Sequence, residues 1–224
     1  MKIAIIAAMD KELALLLPLV PDHTTVNVNG FEYYRGHFGA HELVITRCGI
    51  GKVNAAISTL TLIDTFHPQL VINTGVAGGA RGGAGVLDVV VADRVAYHDV
   101  WCGEGTKPGQ AAGCPEAFEC VLDDSVFEGL DVRRGLIASG DRFISTAAEV
   151  DAIKTVWPDA VAVDMESAAI AHVCYVKCVP FAVVRVISDT PGEADNISQY
   201  ENFWTDAPER TFAVVKDIID RLCP

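Results

Sequence analysis

Apolar and polar positions along this chain follow two alternating rhythms. Lys2 to Ala8 is a continuous apolar run of strand length, the pattern of a strand buried on both faces. From Asp10 to Leu17 the leucines Leu13, Leu16 and Leu17 recur at helical spacing, and Pro18 ends that helix. Thr24 to Val28 alternates and meets Asn29-Gly30, the dipeptide of a tight hairpin. Phe31 to Phe38 and His41 to Cys48 continue the meander through Gly39-Ala40, and Gly49-Ile50-Gly51 leads into a helix over Lys52 to Phe66. Gln69 to Thr74 reads as a buried strand that ends in a loop, Gly75-Val76-Ala77-Gly78-Gly79. Val86 to Tyr97 is a long β-rich stretch, and Gly135 to Ser139, Ala160 to Val163 and Phe181 to Ser188 are further strands. Helices are predicted over Ala147 to Val156, Glu166 to Cys178 and Pro208 to Leu222, and Cys102 to Cys114 as a long surface loop.

This alternation predicts an α/β fold: a three-layer α/β/α sandwich with a mixed, twisted central sheet. The early hairpins make the sheet mixed. Residues 1–224 carry no linker, repeat or low-complexity tract and read as a single domain.

Charge narrows the partners. The net charge is −13 and no cluster of Lys or Arg appears, which argues against nucleic acid and anionic membranes. No apolar run reaches the roughly 20 residues of a membrane-spanning helix. Asp10, Lys11 and Glu12 follow the first apolar run at once, so it reads as a strand rather than a signal peptide, and a cytoplasmic location is expected. The seven cysteines lack the paired spacing of a zinc site and read as small core residues in a reducing compartment; no metal is expected.

Candidate chemistry sits at strand ends. Glu12 follows the first strand, Glu166 follows Val163-Asp164-Met165, and Asp189 closes the strand that carries Arg185. In open α/β proteins such ends face the ligand crevice. Each acid alone also fits a helix start or turn. Arg185 interrupts an apolar strand and needs either a structural carboxylate partner or a polar cavity. Phe143, just past another strand end, suits the core or the face of a flat heterocycle.

Taken together, these segments resemble the 5′-methylthioadenosine/S-adenosylhomocysteine nucleosidases of the nucleoside phosphorylase/hydrolase superfamily. The resemblance runs nearly end to end. It is carried by Met1 to Glu12, Gly49 to Ala56, Ile72 to Gly79, Tyr97-His98-Asp99, Ser139 to Ile144, Val163 to Ala171 and Val183 to Asp189. It implies the phosphorylase/hydrolase-like fold and hydrolysis of the N-glycosidic bond of an adenine nucleoside, with no cofactor. By that resemblance Glu12 is the base that activates water, and Glu166 binds the ribose hydroxyls and stabilises the developing sugar cation. Arg185 helps hold the water and the carboxylates. Asp189 is the acid that protonates adenine N7, positioned by Ser188. Phe143 stacks on adenine, backbone groups of Ile144 read its edge, and Met165 packs under the ribose. Met9, Ile50 and Val76 complete the substrate pocket, and Tyr200 covers it. A homodimer is implied, with a partner loop near residues 98–114 completing each site.

The sequence departs from the family pattern at several points. Val76 stands where many members have a serine, Asp164 where a glutamate is common, and Ser145-Thr146 where Asn-Gly is usual; the loop from Val100 to Cys114 is shortened and rewritten. Three alternatives remain open at this stage: a purine nucleoside phosphorylase, a hydrolase of futalosine or another nucleoside, and a non-catalytic nucleoside-binding protein. A phosphorylase must hold a phosphate dianion, which the acids at the candidate water site disfavour.

Overall fold

The computed structural model describes residues 1–193, 196–206 and 208–222. Its strands are β1 (Lys2–Ala7), β2 (Thr24–Val28), β3 (Phe31–Phe38), β4 (His41–Arg47), β5 (Leu70–Gly79), β6 (Val89–Tyr97), β7 (Phe118–Glu119), β8 (Arg133–Ser139), β9 (Ala160–Asp164) and β10 (Phe181–Asp189). Its helices are α1 (Asp10–Leu16), α2 (Lys52–Phe66), α3 (Ala147–Val156), α4 (Ser167–Lys177), α5 (Asn196–Asp206) and α6 (Pro208–Arg221).

All the strands belong to one mixed sheet. β1 lies between β4 and β5, parallel to both, and β4, β3 and β2 form the antiparallel meander read from the sequence. Asn29 and Gly30 both take positive φ, at 53° and 83°, as a two-residue hairpin with this dipeptide requires. The period-2 rule sorts β1 between two cores. Ile3, Ile5 and Ala7 join Leu13 and Leu16 of α1 and Val215, Ile218 and Ile219 of α6. Ala4 and Ile6 join Ala55 and Leu62 of α2 and Ala168 and Ile170 of α4. Helices therefore cover both faces, and α3 packs Val150 and Ile153 against Leu136 and Ala160.

At the other end the sheet rolls up. β10 runs parallel to β5 and antiparallel to β6; β6, β8 and β9 follow in parallel; β9 then returns to β5 at Gly78–Val163 and Gly79–Ala162. Five strands thus close a ring. This explains why Gly75 to Gly79, expected as a loop, continues as strand: β10 flanks it on one side and β9 meets its end on the other. A Cβ at Gly79 would overlap the Ala84 carbonyl oxygen, so the closure depends on its missing side chain.

Two further differences have local causes. Helix α5 was not legible, because Asn196–Asp206 is mostly polar and its few apolar residues make a weak period. Cys48 and Cys174 are buried, whereas Cys102, in the surface loop, and Cys178, at the turn ending α4, are exposed; for these two the core reading is corrected. Cys223 lies outside the described residues. Among the described residues no helix is long and apolar enough to cross a membrane.

Replacing Gly79 with alanine is expected to cost about 1–3 kcal/mol, the range for overpacking a tight interior. Urea unfolding measures it, and an unchanged midpoint would show that the ring has slack at this crossing.

Candidate active site

The strand ends β1, β5, β9 and β10 converge on one cleft of about 640 Å³, counting the space at its mouth, which suits a small organic molecule. The candidates Glu12, Glu166, Asp189, Met9, Ile50, Val76, Phe143, Ile144, Met165, Ser188 and Tyr200 all line it. Arg185 is the exception. It lies behind the wall rather than on it.

Glu12 sits in the first turn of α1 and is buried. Its Oε2 accepts from the backbone N–H groups of Ala8 (2.8 Å) and Met9 (2.9 Å), so it does satisfy its own helix start. Its Oε1 reaches across the cleft and accepts from Val76 N–H at 2.9 Å. Gly75 makes room for this, since a Cβ there would overlap the Glu12 carboxylate. Burial pushes the Glu12 carboxyl above its ordinary range, against the opposing pull of the Val76 N–H, the Arg185 charge and its own turn.

Glu166 precedes α4 but does not cap it. Its Oε1 accepts instead from Gly51 N–H, 115 residues away, at 2.9 Å. Burial, reinforced by the charge of Asp164, pushes its pKa up to about 7, while the Gly51 N–H and Arg185 act the other way. The Gly51 turn is itself fastened. Lys52 N–H donates to Asp141 (2.7 Å), and Lys52 Nζ and Asp141 N–H both donate to Asp99 (2.8 Å each). Three motifs far apart in sequence, at 49–52, 97–99 and 139–144, are one bracket in space.

Asp189 is buried at the end of β10, where a bulge between Ile187 and Asp189 sets it opposite Gly78. Ser188 Oγ donates to it at 2.7 Å. The bulge is what lets two successive residues, Ser188 and Asp189, both face the cleft. The aromatic rim is Phe143, half exposed, set edge-on to Tyr200 with centroids 6.1 Å apart; Tyr200 Oη reaches Met9 Sδ at 3.4 Å.

Arg185 donates through Nε (3.0 Å) to Asp164 Oδ2, with which its Nη2 also makes an ion pair at 2.7 Å, through Nη2 to Asn73 Oδ1, and through Nη1 to the Val184 carbonyl oxygen. The structural-pair alternative is the one realised. Asp164 also accepts from Ser167 N–H and Oγ. Sequence reading missed Asp164 and Asn73 as parts of the site. The available signal was that an arginine inside an apolar strand needs acceptors; which residues supply them depends on the fold, Asn73 lying on the adjacent β5 and Asp164 at the end of β9. Among the described residues no cluster of three or more His, Cys, Asp or Glu side chains is arranged to hold a metal ion.

The arrangement offers acids on opposite sides of an apolar cleft, with an aromatic rim. It suits proton transfer to and from a flat, neutral molecule.

Comparison with known proteins places this geometry in context. The model of the phosphorylase superfamily matches residues 2–220. An S-adenosylhomocysteine nucleosidase from Streptococcus pyogenes, solved with 5-methylthiotubericidin, is 38% identical with a TM-score of 0.92, over 100% of this chain and 98% of that one. A 5′-methylthioadenosine/S-adenosylhomocysteine nucleosidase from Colwellia psychrerythraea, solved with adenine, is 34% identical with a TM-score of 0.93, over 99% and 96%. A futalosine hydrolase mutant from Helicobacter pylori is 26% identical with a TM-score of 0.89, over 98% of each chain.

The raised carboxyls make a stability prediction. A folded-state pKa above the unfolded value means that the native state holds the proton more tightly, so stability falls as pH rises from about 4.5 through about 7. Glu166→Gln removes that loss. It is expected to be about 2 kcal/mol more stable than wild type at pH 8 and no more stable at pH 4.5. Urea unfolding at both pH values measures this, and the same difference at each would contradict it.

Proposed function

The chain belongs to the phosphorylase superfamily and, within it, to the 5′-methylthioadenosine/S-adenosylhomocysteine nucleosidases, and we propose that it hydrolyses the N-glycosidic bond of these adenine nucleosides. The products are adenine and the free 5-thio-ribose. The observation that carries this reading is an apolar cleft onto which the buried acids Glu12, Glu166 and Asp189 converge beside the Arg185-paired Asp164, with Phe143 at its rim.

In this reading Asp189 passes its proton to adenine N7, fixed by the Ser188 hydroxyl, and the C–N bonding pair leaves with the base. The sugar becomes oxocarbenium-like, and the Glu166 carboxylate favours that cation over the neutral ground state. Glu12 takes a proton from water as the oxygen attacks the anomeric carbon; burial raises its basicity toward what this transfer needs. Phe143 and Tyr200 enclose the base, and Met9, Met165, Ile50 and Val76 pack the sugar side, with Ile144 at the adenine edge. Arg185, clamped to Asp164 and Asn73, acts on Glu12 and Glu166 through its charge rather than by touching the water. Arg142 is the one basic side chain lining the cleft among the described residues, and it is paired with Glu149 at 2.7 Å. A phosphate nucleophile would meet carboxylates instead, so hydrolysis is favoured over phosphorolysis.

We further propose that residues 1–224 act as one domain, in the cytoplasm, as a homodimer. The exposed thiols Cys102 and Cys178 suit a reducing compartment. Helix α2 leaves Val53, Ile57 and Leu60 exposed at helical spacing, continued by Ile50 at the cleft, and Trp101 is 66% exposed on the nearby loop class of residues 98–114. Such a stripe suits a second copy whose loop completes the site.

Adenine release from 5′-methylthioadenosine, with and without phosphate, tests the reaction. Free thio-ribose without phosphate is expected; release only with phosphate would make the chain a phosphorylase, and release only from futalosine would move the substrate. Asp189→Asn and Glu12→Gln are each expected to lower kcat by about 10²–10⁴-fold. Wild-type kcat in Asp189→Asn would remove the acid assignment. Sedimentation should give a dimer, and full activity in a monomer at nanomolar concentration would exclude the shared site.

A further inference from the structure

Asp164 faces the cleft, yet the mechanism above gives it no contact with substrate. Both of its oxygens are engaged: Oδ2 accepts from Arg185 Nε and pairs with Nη2, and Oδ1 takes the N–H and hydroxyl of Ser167, the first residue of α4. A carboxylate built into its wall on both oxygens does not reorganise when a ligand enters. Its partner is equally fixed, because Arg185 also donates to Asn73, and Asn73 donates in turn to the Ile6 carbonyl oxygen at 2.9 Å. Strands β1, β5, β9 and β10 are thereby pinned together behind the acids.

We propose that Asp164 is a positioning residue: its two-point clamp fixes where the buried positive charge of Arg185 sits relative to Glu12 and Glu166, and so sets the pH range in which the site works. Glu166 stands two residues beyond Asp164, with the like charge of Asp164 on one side and the clamped guanidinium behind it. The groups around Glu166 are Asp164 on β9, Arg185 on β10, Glu12 on α1, the Cys48 thiol after β4 and the Tyr200 phenol on α5; His98, after β6, faces Asp164. Of these, Asp164 opposes the ionised form of Glu166 most, and Arg185 is the cation that favours it. While Asp164 neutralises Arg185, Glu166 shares its proton near neutrality. Remove the Asp164 charge and two effects add: the repulsion goes, and Arg185 is left uncompensated beside Glu166. Both hold Glu166 ionised to lower pH.

The experiment follows Glu166 directly, by the carboxyl carbon resonance of protein labelled with ¹³C in glutamate, with Glu166→Gln identifying the signal. The Glu166 midpoint is expected near 7 in wild type, at least one pH unit lower in Asp164→Asn, and back near 7 in Asp164→Glu, which restores the charge. An Asp164→Asn protein that folds with an unmoved midpoint overturns the proposal. If that variant does not fold, wild type decides alone, because Glu166 titrating below pH 5.5 overturns it too. The kinetic arm rests on the nucleosidase reading. There the acid limb of kcat/KM in Asp164→Asn moves down with the midpoint, whereas a merely structural defect lowers activity at every pH without moving the limb. A wild-type protein that releases no adenine would end the nucleosidase reading, while the titration still judges Asp164.

Discussion

The guanidinium of Arg185 is buried in the middle of a strand whose other residues are almost all apolar, and a charge so placed is tolerable only while its donors are filled. Filling them recruits Asp164 from β9 and Asn73 from β5, and Asn73 in turn reaches β1. Removing Asp164 would leave an uncompensated charge in the core, and removing Asn73 an unfilled donor. The cleft is therefore assembled around a fixed cation, which Asp164 pairs directly. Glu12 and Glu166 both feel it, each against the burial that raises its pKa.

Backbone amides do the rest of the positioning. Glu12 is held by three N–H groups, those of Ala8 and Met9 after β1 and of Val76 within β5, and Glu166 by that of Gly51 in the turn before α2. The glycines at 75 and 51 matter for this reason. At Gly75 a side chain would collide with the carboxylate that the next residue binds, and Gly51 adopts φ 92° to aim its N–H at Glu166.

Much of this was legible in the sequence. Periodicity gave β2, β3, α2 and α3 at the bounds observed, and the motif at 163–166 located the acid between β9 and α4. The lining residues followed from a family resemblance rather than from pattern. What pattern could not carry were relations between segments. Nothing local says that Asp164 and Asn73 answer Arg185, or that a glycine-rich stretch remains strand because β9 and β10 flank it. Helix α5 was hidden for a different reason: its polar face dominates its composition, and it is helical in the context of β10, against which it packs.

The ring of strands also bears on how the protein is made. Glu12 follows β1, the first of these strands, Asp189 closes β10, the last of them, and β10 is the strand that joins β5 to β6. A ribosome delivers these parts in order. Until β10 emerges, the ring is open, Asn73 has no guanidinium to receive, and the cleft has no Asp189. Contacts this distant in sequence form late, after the entropy of long loops has been overcome. Glu12 consequently waits through the synthesis of every strand from β2 to β9 in a form that can do no chemistry, whereas Glu166 waits only for β10.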